Sequence, residues 1–301
     1  MALAPMADVT DAAFRRIVAK YGKPDVMFTE FTSCDGLCSA GKKKLLHDLW
    51  FTEAERPIVA QLFGSKPENF YRCAQLAAEL GFNGIDINMG CPDRAVERQG
   101  AGAALIKNPL LAKEIIAETV RGAGDLPVSV KTRLGYGTNI LNEWLPHLLE
   151  TELAAITIHA RTRKEMSDIP AHWDQVAEAV AVRNKYNPQT LLLGNGDVQN
   201  LEQAKLKIKE TGADGIMIGR GIFGNPWLFD SKINTADMPL SEKYKVMLEH
   251  TKLFEELFKG IKSFDVMKKH YKAYVTGWSG AKELRTRLMT AKSAVQVESM
   301  L

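Results

Sequence analysis

The segment around Cys91 combines residue types that could perform acid–base or nucleophilic chemistry. Cys91 stands between Gly90 and Pro92, directly after the run 84–87, whose apolar residues are typical of a buried strand. A residue before proline is biased toward extended backbone, which disfavours a helix at this point. The pattern predicts a thiol displayed on a loop just past a strand end. The alternative is an inert structural cysteine, which is the commoner case for a single thiol.

Other groups that could bind a ligand stand at comparable points, each at or just after the end of a short apolar run. They are Pro5, Met6, Ala7, Gln61, Asn88, Lys131, Arg133, His159, Arg161, Asn195, Gly196, Asp197, Gly219 and Arg220. Such residues at nearly every strand end are hard to explain as ordinary surface positions. They indicate one shared site.

The elements that would position these groups alternate along the chain. Apolar runs predict strands at 2–6, 26–29, 58–62, 84–88, 128–131, 155–159, 191–195 and 215–219, and helical periodicity lies between them, as at 70–80, 110–121 and 201–211. Strands that alternate with helices favour βαβ units and a parallel sheet. Eight repeats in about 230 residues match a (β/α)8 TIM barrel. A doubly wound open sheet is the alternative, and the lack of a Gly-x-Gly-x-x-Gly motif after the first strand weakens it.

Two glycine-containing segments, 194–197 and 219–221, have the composition of a phosphate site. Loops after the seventh and eighth strands of such barrels often bind phosphate. Their small residues let backbone N–H groups approach an anion, and Arg220 adds a guanidinium. The alternative is two simple turns, with Asp197 capping the next helix. We favour phosphate binding because both segments fall at the expected places.

A ligand anchored there by its phosphate would extend over the mouth of the barrel. Lys131, His159 and Gln61 could then offer hydrogen bonds to a polar ring, and a flavin fits this arrangement. A lysine beside the ring would stabilise the anionic reduced form. The alternatives are an interior lysine in an ion pair and a core histidine.

The last part of the chain differs in pattern. Residues 236–301 repeat apolar residues at helical spacing, contain no strand pattern and hold more basic than acidic residues. We therefore predict two domains, a barrel over 1–235 and a small helical domain over 236–301. Lys268 and Lys269 stand beside His270 and Tyr271, a combination that could bind a nucleic acid or form an ordinary solvated helix face.

The bulk composition is that of an ordinary globular protein. The 301 residues are 46% hydrophobic and 25% charged, and the net charge of +3 excludes little. The four cysteines lack the spacing of a disulfide framework or a zinc site, and no apolar run is long enough to span a membrane. We predict a cytoplasmic protein without a bound metal.

The motifs together resemble one family, the tRNA-dihydrouridine synthases of bacterial type, and the resemblance runs through the barrel in order. The matching segments are 4–11 (APMADVTD), 88–92 (NMGCP), 100–105 (GAGAAL), 130–135 (VKTRLG), 159–162 (HART), 194–197 (GNGD), 217–221 (MIGRG) and 224–227 (GNPW). Segments 268–271 (KKHY) and 280–285 (GAKELR) also resemble the helical domain of bacterial members.

The resemblance implies an FMN enzyme that NADPH reduces and that acts on a uridine in the D-loop of tRNA. Hydride would pass from flavin N5 to C6 of the uracil, and Cys91 would protonate C5. The cofactor would be bound by Pro5, Met6, Ala7, Gln61, Lys131, His159, Asn195, Gly196, Asp197, Gly219 and Arg220. The RNA would be bound by Arg133, Arg161, Lys268 and Lys269, and Asn88 would contact either the uracil edge or the flavin ring. We expect a monomer.

Two other functions remain open at this point. A flavin barrel of the dihydroorotate dehydrogenase type would reduce a free pyrimidine, but it would not need the basic helical tail. A non-catalytic RNA-binding protein would not need an intact cysteine beside two phosphate-type loops.

Overall fold

Parallel strands dominate the first two-thirds of the chain in the computed structural model, which describes residues 1–235 and 237–301. The strands within these residues are β1 Ala2–Leu3, β2 Met27–Phe28, β3 Thr32–Ser33, β4 Ile58–Phe63, β5 Gly84–Met89, β6 Val128–Arg133, β7 Ala155–His159, β8 Leu191–Asn195 and β9 Gly215–Ile218. They pair in the order β1-β9-β8-β7-β6-β5-β4-β2, and β3 lies beside β4. A parallel bridge between Ala2 and Val26 brings the two ends of this order together. The predicted (β/α)8 barrel is confirmed.

Strand β3 is an addition to the eight predicted strands. Its two residues pair in parallel with Leu62 and Phe63 at the end of β4. Thr32 and Ser33 form no apolar run, so hydrophobic periodicity carries no signal for them.

The helices lie between the strands and after them. They are α1 Ala12–Tyr21, α2 Cys34–Leu37, α3 Pro67–Glu79, α4 Arg94–Glu97, α5 Pro109–Ala123, α6 Leu141–Leu149, α7 Trp173–Tyr186, α8 Leu201–Thr211, α9 Leu240–Phe258, α10 Met267–Tyr274, α11 Ala281–Leu288 and α12 Ala294–Glu298. The predicted helical segments correspond to α3, α5 and α8. After β9 the described chain forms only the short 3-10 helix Arg220–Ile222 before the helical tail, so this repeat lacks a full barrel helix.

The barrel core consists of the apolar residues of the strands and of the helix faces that cover them. Ile85 and Ile87 of β5 and Ile156 and Ile158 of β7 are completely buried. Burying such a side chain stabilises the fold by about 1.5–3 kcal/mol. Because both faces of a parallel barrel strand are covered, the strands read as apolar runs rather than as an alternating pattern.

Helices α9–α12 form a helical tail that packs against the barrel. Phe254, Phe258 and Tyr271 share a buried cluster with Ala12 and Ala13 of α1, so the tail and the barrel contact each other through apolar side chains. The predicted domain boundary between 235 and 236 falls on Ala236, which lies outside the described residues. The division into two domains stays a prediction.

Two negative findings apply to the described residues. None of their helices combines the length and apolar character needed to cross a bilayer. Those residues also contain no group of three or more His, Cys, Asp or Glu side chains arranged to hold a metal ion.

Two histidines lie buried where α1 meets the helical tail. The rings of His250 and His270 are 4.6 Å apart, and Phe14 of α1 lies against both. Among the described residues, their ring nitrogens have no hydrogen-bond partner. Burial lowers the pKa of His250 from 6.5 to about 3 and lowers the pKa of His270 well below 6.5. Both rings are therefore neutral in the folded protein near pH 7.

These histidines predict an acid sensitivity of the fold. Between pH 6.5 and pH 3 the unfolded state binds protons that the folded state does not, so stability falls as the pH falls. Each such histidine contributes up to about 1.4 kcal/mol per pH unit in this range. His250→Phe should reduce this slope in urea unfolding measured from pH 7 to pH 4.5. An unchanged slope would show that His250 is accessible to protons in the folded state.

Candidate active site

A cavity of about 300 Å³ opens at the C-terminal ends of the barrel strands. The predicted site residues that line it are Pro5, Met6, Gln61, Asn88, Cys91, Lys131, Arg133, His159, Arg161, Asn195, Gly196, Asp197, Gly219 and Arg220. Ala7 is exposed and does not line the cavity, and neither do Lys268 and Lys269 of the helical tail. The strand-end side chains therefore converge on one cavity, as the sequence predicts.

Strand register explains this convergence. Asn88 of β5 pairs with Lys131 of β6, and Arg133 pairs with His159 of β7. His159 in turn pairs with Asn195 of β8. Paired residues of adjacent parallel strands stand at similar heights, so these functional groups lie in neighbouring positions around the mouth of the barrel.

The loop that carries Cys91 is fixed through its backbone. The Oδ1 atom of Asn88 accepts hydrogen bonds from the N–H groups of Gly90 (3.1 Å) and Cys91 (2.9 Å). The carbonyl of Cys91 accepts one from the N–H of Ala103 (3.0 Å). Gly102 has a φ of +61°, and a Cβ there would lie 2.8 Å from the Cys91 carbonyl oxygen. Glycine at 102 is therefore needed for this close approach.

The Cys91 thiol is held in its protonated form. Cys91 is half-buried, and burial raises the pKa of its thiol above the ordinary value of 9.0, although the Asp93 N–H and the charges of Arg133 and Lys131 act in the opposite direction. A thiol with a raised pKa is suited to proton donation at neutral pH, whereas a thiolate nucleophile requires a lowered one.

A buried hydrogen-bond chain supports Asn88 from below. Asn88 Nδ2 donates to Gln61 Oε1 (3.0 Å), Gln61 Nε2 donates to Asp86 Oδ2 (2.6 Å), and Ser129 Oγ donates to Asp86 Oδ1 (2.6 Å). Burial raises the pKa of Asp86 to about 6. Asp86 is not among the predicted site residues. A carboxylate inside the apolar run 84–87 could have indicated a buried polar group next to the site.

Lys131 places an unpaired amine at the cavity. Its Nζ makes no hydrogen bond or ion pair among the described residues, and Asp86 interacts with it only through its charge. Burial lowers the pKa of Lys131 from 10.5 to about 8, and the neighbouring Arg133 contributes to this decrease. A half-buried amine without a partner is a preformed donor for a polar or anionic group of a ligand.

His159 is neutral and has a defined tautomer. Burial lowers its pKa well below 6.5, and the charges of Lys131, Arg133, Arg161 and Arg220 act in the same direction. Arg161 Nη1 lies 3.2 Å from His159 Nε2. Because a guanidinium only donates, Nε2 is the acceptor and Nδ1 carries the proton. This Nδ1–H has no partner among the described residues.

Asp197 joins the two phosphate-type loops. Its carboxylate accepts hydrogen bonds from Arg161, from Arg220 Nη2 (2.9 Å) and from the N–H of Ala171 (2.9 Å). The interpretation of Asp197 as a helix cap is wrong, because Asn200 caps α8. From the sequence alone, an Asp before a helix could either cap that helix or pair with a cation. The two arginines that donate to Asp197 are distant from it in sequence.

Gly196 forms a close backbone surface beside this carboxylate. Its φ is +138°, and a Cβ at this position would lie 2.8 Å from the Cβ of Ala171. Glycine at 196 is therefore needed for the close approach to Ala171, and it lines the cavity without a side chain.

Arg133 connects the Cys91 loop with the loop after β7. Its Nε donates to the Gly90 carbonyl (2.7 Å), and its Nη1 donates to the carbonyls of Thr162 and Met166 (3.0 Å each). Arg161 likewise donates hydrogen bonds to the Ile169 carbonyl (2.7 Å) and to the Asp197 carboxylate. Both arginines line the cavity, but most of their donors are used within the protein.

The basic segment around Lys268 and Lys269 does not present the aromatic surface that the sequence predicts. His270 and Tyr271 are completely buried, so no aromatic ring of this pair is available for stacking on a base. Lys268 pairs with Asp265 (2.8 Å), and Lys269 lies 4.0 Å from Asp8 at the barrel mouth.

Comparison with known proteins gives relatives along the whole chain. The model of the dihydrouridine synthase family matches residues 2–301. A probable tRNA-dihydrouridine synthase 2 of Bacillus subtilis is 45% identical over 99% of this chain and 92% of its own length. A probable tRNA-dihydrouridine synthase of Staphylococcus aureus (strain MRSA252) is 42% identical over 99% and 91%.

Solved structures resemble the fold at low sequence identity. A morphinone reductase matches with a TM-score of 0.56 and 13% identity over 76% of this chain and 84% of its own. A histamine dehydrogenase from Rhizobium sp. 4-9 matches with a TM-score of 0.58 and 13% identity over 84% and 48%. These likenesses show the barrel fold alone, whereas the sequence matches show descent. The chain belongs to the dihydrouridine synthase family.

Proposed function

We propose that this dihydrouridine synthase reduces the C5–C6 double bond of a uridine in the D-loop of tRNA, with bound FMN, NADPH as reductant and Cys91 as proton donor. The observation that carries the proposal is a protonated thiol at the rim of a barrel cavity that also presents an unpaired lysine. The family relationship supplies the substrate class.

The cavity has the chemistry of an FMN site. Its charged lining residues among the described ones are Lys131, Arg133, Arg161 and Arg220 together with the single carboxylate of Asp197, an excess of positive charge that suits a phosphate. Gly196 and Gly219 would bring backbone close to the phosphate, beside the half-exposed guanidinium of Arg220.

The ring end of the cofactor would meet the unpaired donors. Lys131 Nζ and His159 Nδ1–H would bind polar atoms of the ring, with Gln61 and Asn195 nearby and Pro5 and Met6 forming another wall. Bound FMN would supply the hydride for C6. Ala7 stays a proposed contact through its backbone, since its position is exposed beside this wall.

Cys91 would complete the reduction by giving its S–H proton to C5. The raised pKa keeps the proton on sulfur until it is needed, and solvent would replace it after product release. Asn88 would position this loop through Oδ1. The second N–H of Nδ2 would be available to a uracil carbonyl, because one N–H is used by Gln61.

We assign Arg133 and Arg161 to positioning the loops around the uracil. Their bonds to the carbonyls of Gly90, Met166 and Ile169 leave them few donors for RNA. This is a narrower role than the direct contact with tRNA that the sequence suggests.

Contacts with the tRNA backbone are proposed for the helical tail. Extruding a base from folded RNA costs a few kcal/mol, and phosphate contacts offset such a cost while making affinity salt-dependent. Lys269→Ala should reduce the slope of log affinity against log salt by about 0.7–0.9 for one lost contact. Lys268→Ala should reduce it less, because Asp265 already neutralises Lys268. Equal slopes for the wild type and both variants would exclude the two lysines as phosphate contacts.

We also propose a cytoplasmic monomer. The four cysteines are free thiols, which suits the reducing compartment where tRNA is modified.

The experiment that tests the function is dihydrouridine mapping in tRNA from cells that lack this protein. Loss of dihydrouridine at a D-loop position, restored by the wild type and not by Cys91→Ser, would support the proposal and locate the uridine. A complete set of dihydrouridines would refute it. Activity of the purified protein on free uracil or dihydroorotate without RNA would favour a free-pyrimidine oxidoreductase instead.

A further inference from the structure

A buried ion pair joins the helical tail to the barrel close to the cavity. Lys262, between α9 and α10, places its Nζ 2.7 Å from Glu30 Oε2 and 3.6 Å from Asp48 Oδ1. The side chains of Lys262 and Glu30 are only 11% and 7% exposed. A second ion pair between tail and barrel, Lys20 with Glu249, is 57% and 34% exposed. Of these two pairs, the pair of Lys262 and Glu30 is shielded from solvent. The residues packed around it therefore restrict the positions of both side chains.

The other oxygen of Glu30 holds the first loop of the barrel. Glu30 Oε1 accepts a hydrogen bond from the backbone N–H of Asp8 at 2.5 Å. Asp8 has a φ of +53°, a left-handed conformation that is unfavourable for most residues other than glycine and that needs support from its surroundings. The carboxylate of Glu30 supplies part of that support.

Asp8 belongs to a tight turn over residues 5–10, which forms one wall of the cavity. On its other side, Thr10 Oγ1 accepts a hydrogen bond from the Met6 N–H (2.9 Å), and the Met6 carbonyl accepts one from the Val9 N–H (3.1 Å). Pro5 and Met6 line the cavity. The side chains that anchor the turn therefore include Thr10 from within and Glu30 from the segment between β2 and β3, and Arg15 Nη1 donates to the Thr10 carbonyl (2.7 Å).

We propose that Lys262 is a positioning residue for the active site, acting through Glu30 on the turn 5–10. The helical tail would thereby set the shape of the cavity wall formed by Pro5 and Met6. The inference rests on the proposed function, since it assumes that this wall contacts FMN. It adds a physical connection between the part of the chain proposed to bind tRNA and the part proposed to bind the cofactor.

The charges around Lys262 explain why removing its ammonium group would weaken the hydrogen bond between Glu30 and the turn 5–10. Three carboxyl groups face it, those of Glu30, Asp48 and Asp11. Asp11 is completely buried, and its Oδ2 has no hydrogen-bond partner among the described residues. Without Lys262, Glu30 would be a buried carboxylate beside Asp11 with no ion-pair partner among the described residues, since Arg15 acts on Asp11 and is paired with Glu55. A buried carboxylate in that state takes up a proton or turns toward water, and either change weakens its bond to the Asp8 N–H.

The test compares Lys262→Met with Lys20→Met, which removes the exposed ion pair between the same two parts of the chain. The first readout is hydrogen exchange of the Asp8 amide in the protein without FMN, and the second is the FMN dissociation constant from flavin fluorescence. We expect Lys262→Met to accelerate exchange and weaken FMN binding by about tenfold each, equivalent to about 1.4 kcal/mol. Lys20→Met should change both by less than about twofold, and Lys262→Arg should restore both.

A double-mutant cycle with Glu30→Gln tests the route. If Lys262 acts through Glu30, the double variant should bind FMN about as weakly as Glu30→Gln alone, whereas independent effects would add. Additive effects, wild-type exchange at Asp8 in Lys262→Met, or equal effects of Lys20→Met would each overturn the inference. The exchange measurement needs neither flavin nor RNA, so it decides the role of Lys262 even if the proposed function fails.

Discussion

Cys91→Ser is expected to lower kcat for uridine reduction by about 10²–10⁴-fold, the usual contribution of a positioned general acid. The serine hydroxyl is a far weaker acid than a thiol, so it cannot deliver a proton to C5 at a comparable rate. The substitution should leave the loop in place, because the bonds to Asn88 Oδ1 and from the Ala103 N–H involve only the backbone of residue 91. FMN content and tRNA affinity should therefore stay near the wild-type values.

The measurement is single-turnover reduction of tRNA by enzyme loaded with FMN, which separates chemistry from binding and release. Cys38→Ser is a suitable control, since Cys38 is also a half-buried free thiol but lies outside the cavity. Its kcat should match the wild type. A Cys91→Ser enzyme that turns over normally would remove Cys91 from the mechanism.

The pH profile provides a second test of the same role. A proton donor must be protonated before it acts, and burial raises the pKa of Cys91 above 9.0. With FMN kept saturating, activity that depends on Cys91 should thus persist through neutral pH and decline only above the ordinary thiol pKa of 9.0. A nucleophilic thiolate would instead gain activity as the pH rises toward its pKa.

The sequence predicts the barrel well because each strand is an apolar run separated from the next by a helical pattern. It also places Cys91, Lys131 and His159 in one site, since parallel strands bring their C-terminal ends to the same rim. Strand β3 escapes prediction because Thr32 and Ser33 are two polar residues that form no apolar run, although they pair with β4.

The direction of the arginine side chains was not readable from the sequence. Arg133 and Arg161 end strands or follow them, as a ligand-binding residue would. Arg133 nevertheless donates to carbonyls of distant loops, and Arg161 donates to the Ile169 carbonyl and the Asp197 carboxylate. The role of Glu30 was equally hidden, because its partners Asp8 and Lys262 are separated from it by 22 and 232 residues. Such contacts depend on tertiary structure, for which a single sequence carries no local pattern.

Lys131→Met is expected to have opposite effects on ligand binding and on stability. Met keeps the length of the side chain and removes the unpaired charge at the cavity. FMN affinity should fall by about 10–100-fold, because a hydrogen bond from a charged donor contributes about 1.5–3 kcal/mol. The protein without FMN should become more stable at pH 7, because the folded state no longer holds a buried ammonium.

The sign of the stability effect follows from the pKa of Lys131, which burial lowers from 10.5 to about 8. Below pH 8 the lysine is charged in both states, and the folded state bears the full desolvation cost. Between pH 8 and pH 10.5 the folded state releases its proton first, so in the wild type this cost disappears as the pH rises. At pH 7 the cost is on the order of 3–4 kcal/mol, from about 1.4 kcal/mol per pKa unit.

Thermal unfolding of the FMN-free proteins at pH 7 and pH 10, together with FMN titrations at pH 7 and pH 9, would measure both effects. Lys131→Met should unfold at a higher temperature than the wild type at pH 7, and the difference should shrink at pH 10. Wild-type FMN affinity should decrease from pH 7 to pH 9 as Lys131 loses its charge, and the variant should lack this decrease. The control Lys113→Met removes a lysine paired with Glu150 on the outer surface. This variant should show the same decrease in FMN affinity as the wild type. If Lys131→Met destabilises the FMN-free protein at pH 7, other groups of the protein must stabilise the charge of Lys131. Its amine would then not be an unpaired donor for a ligand.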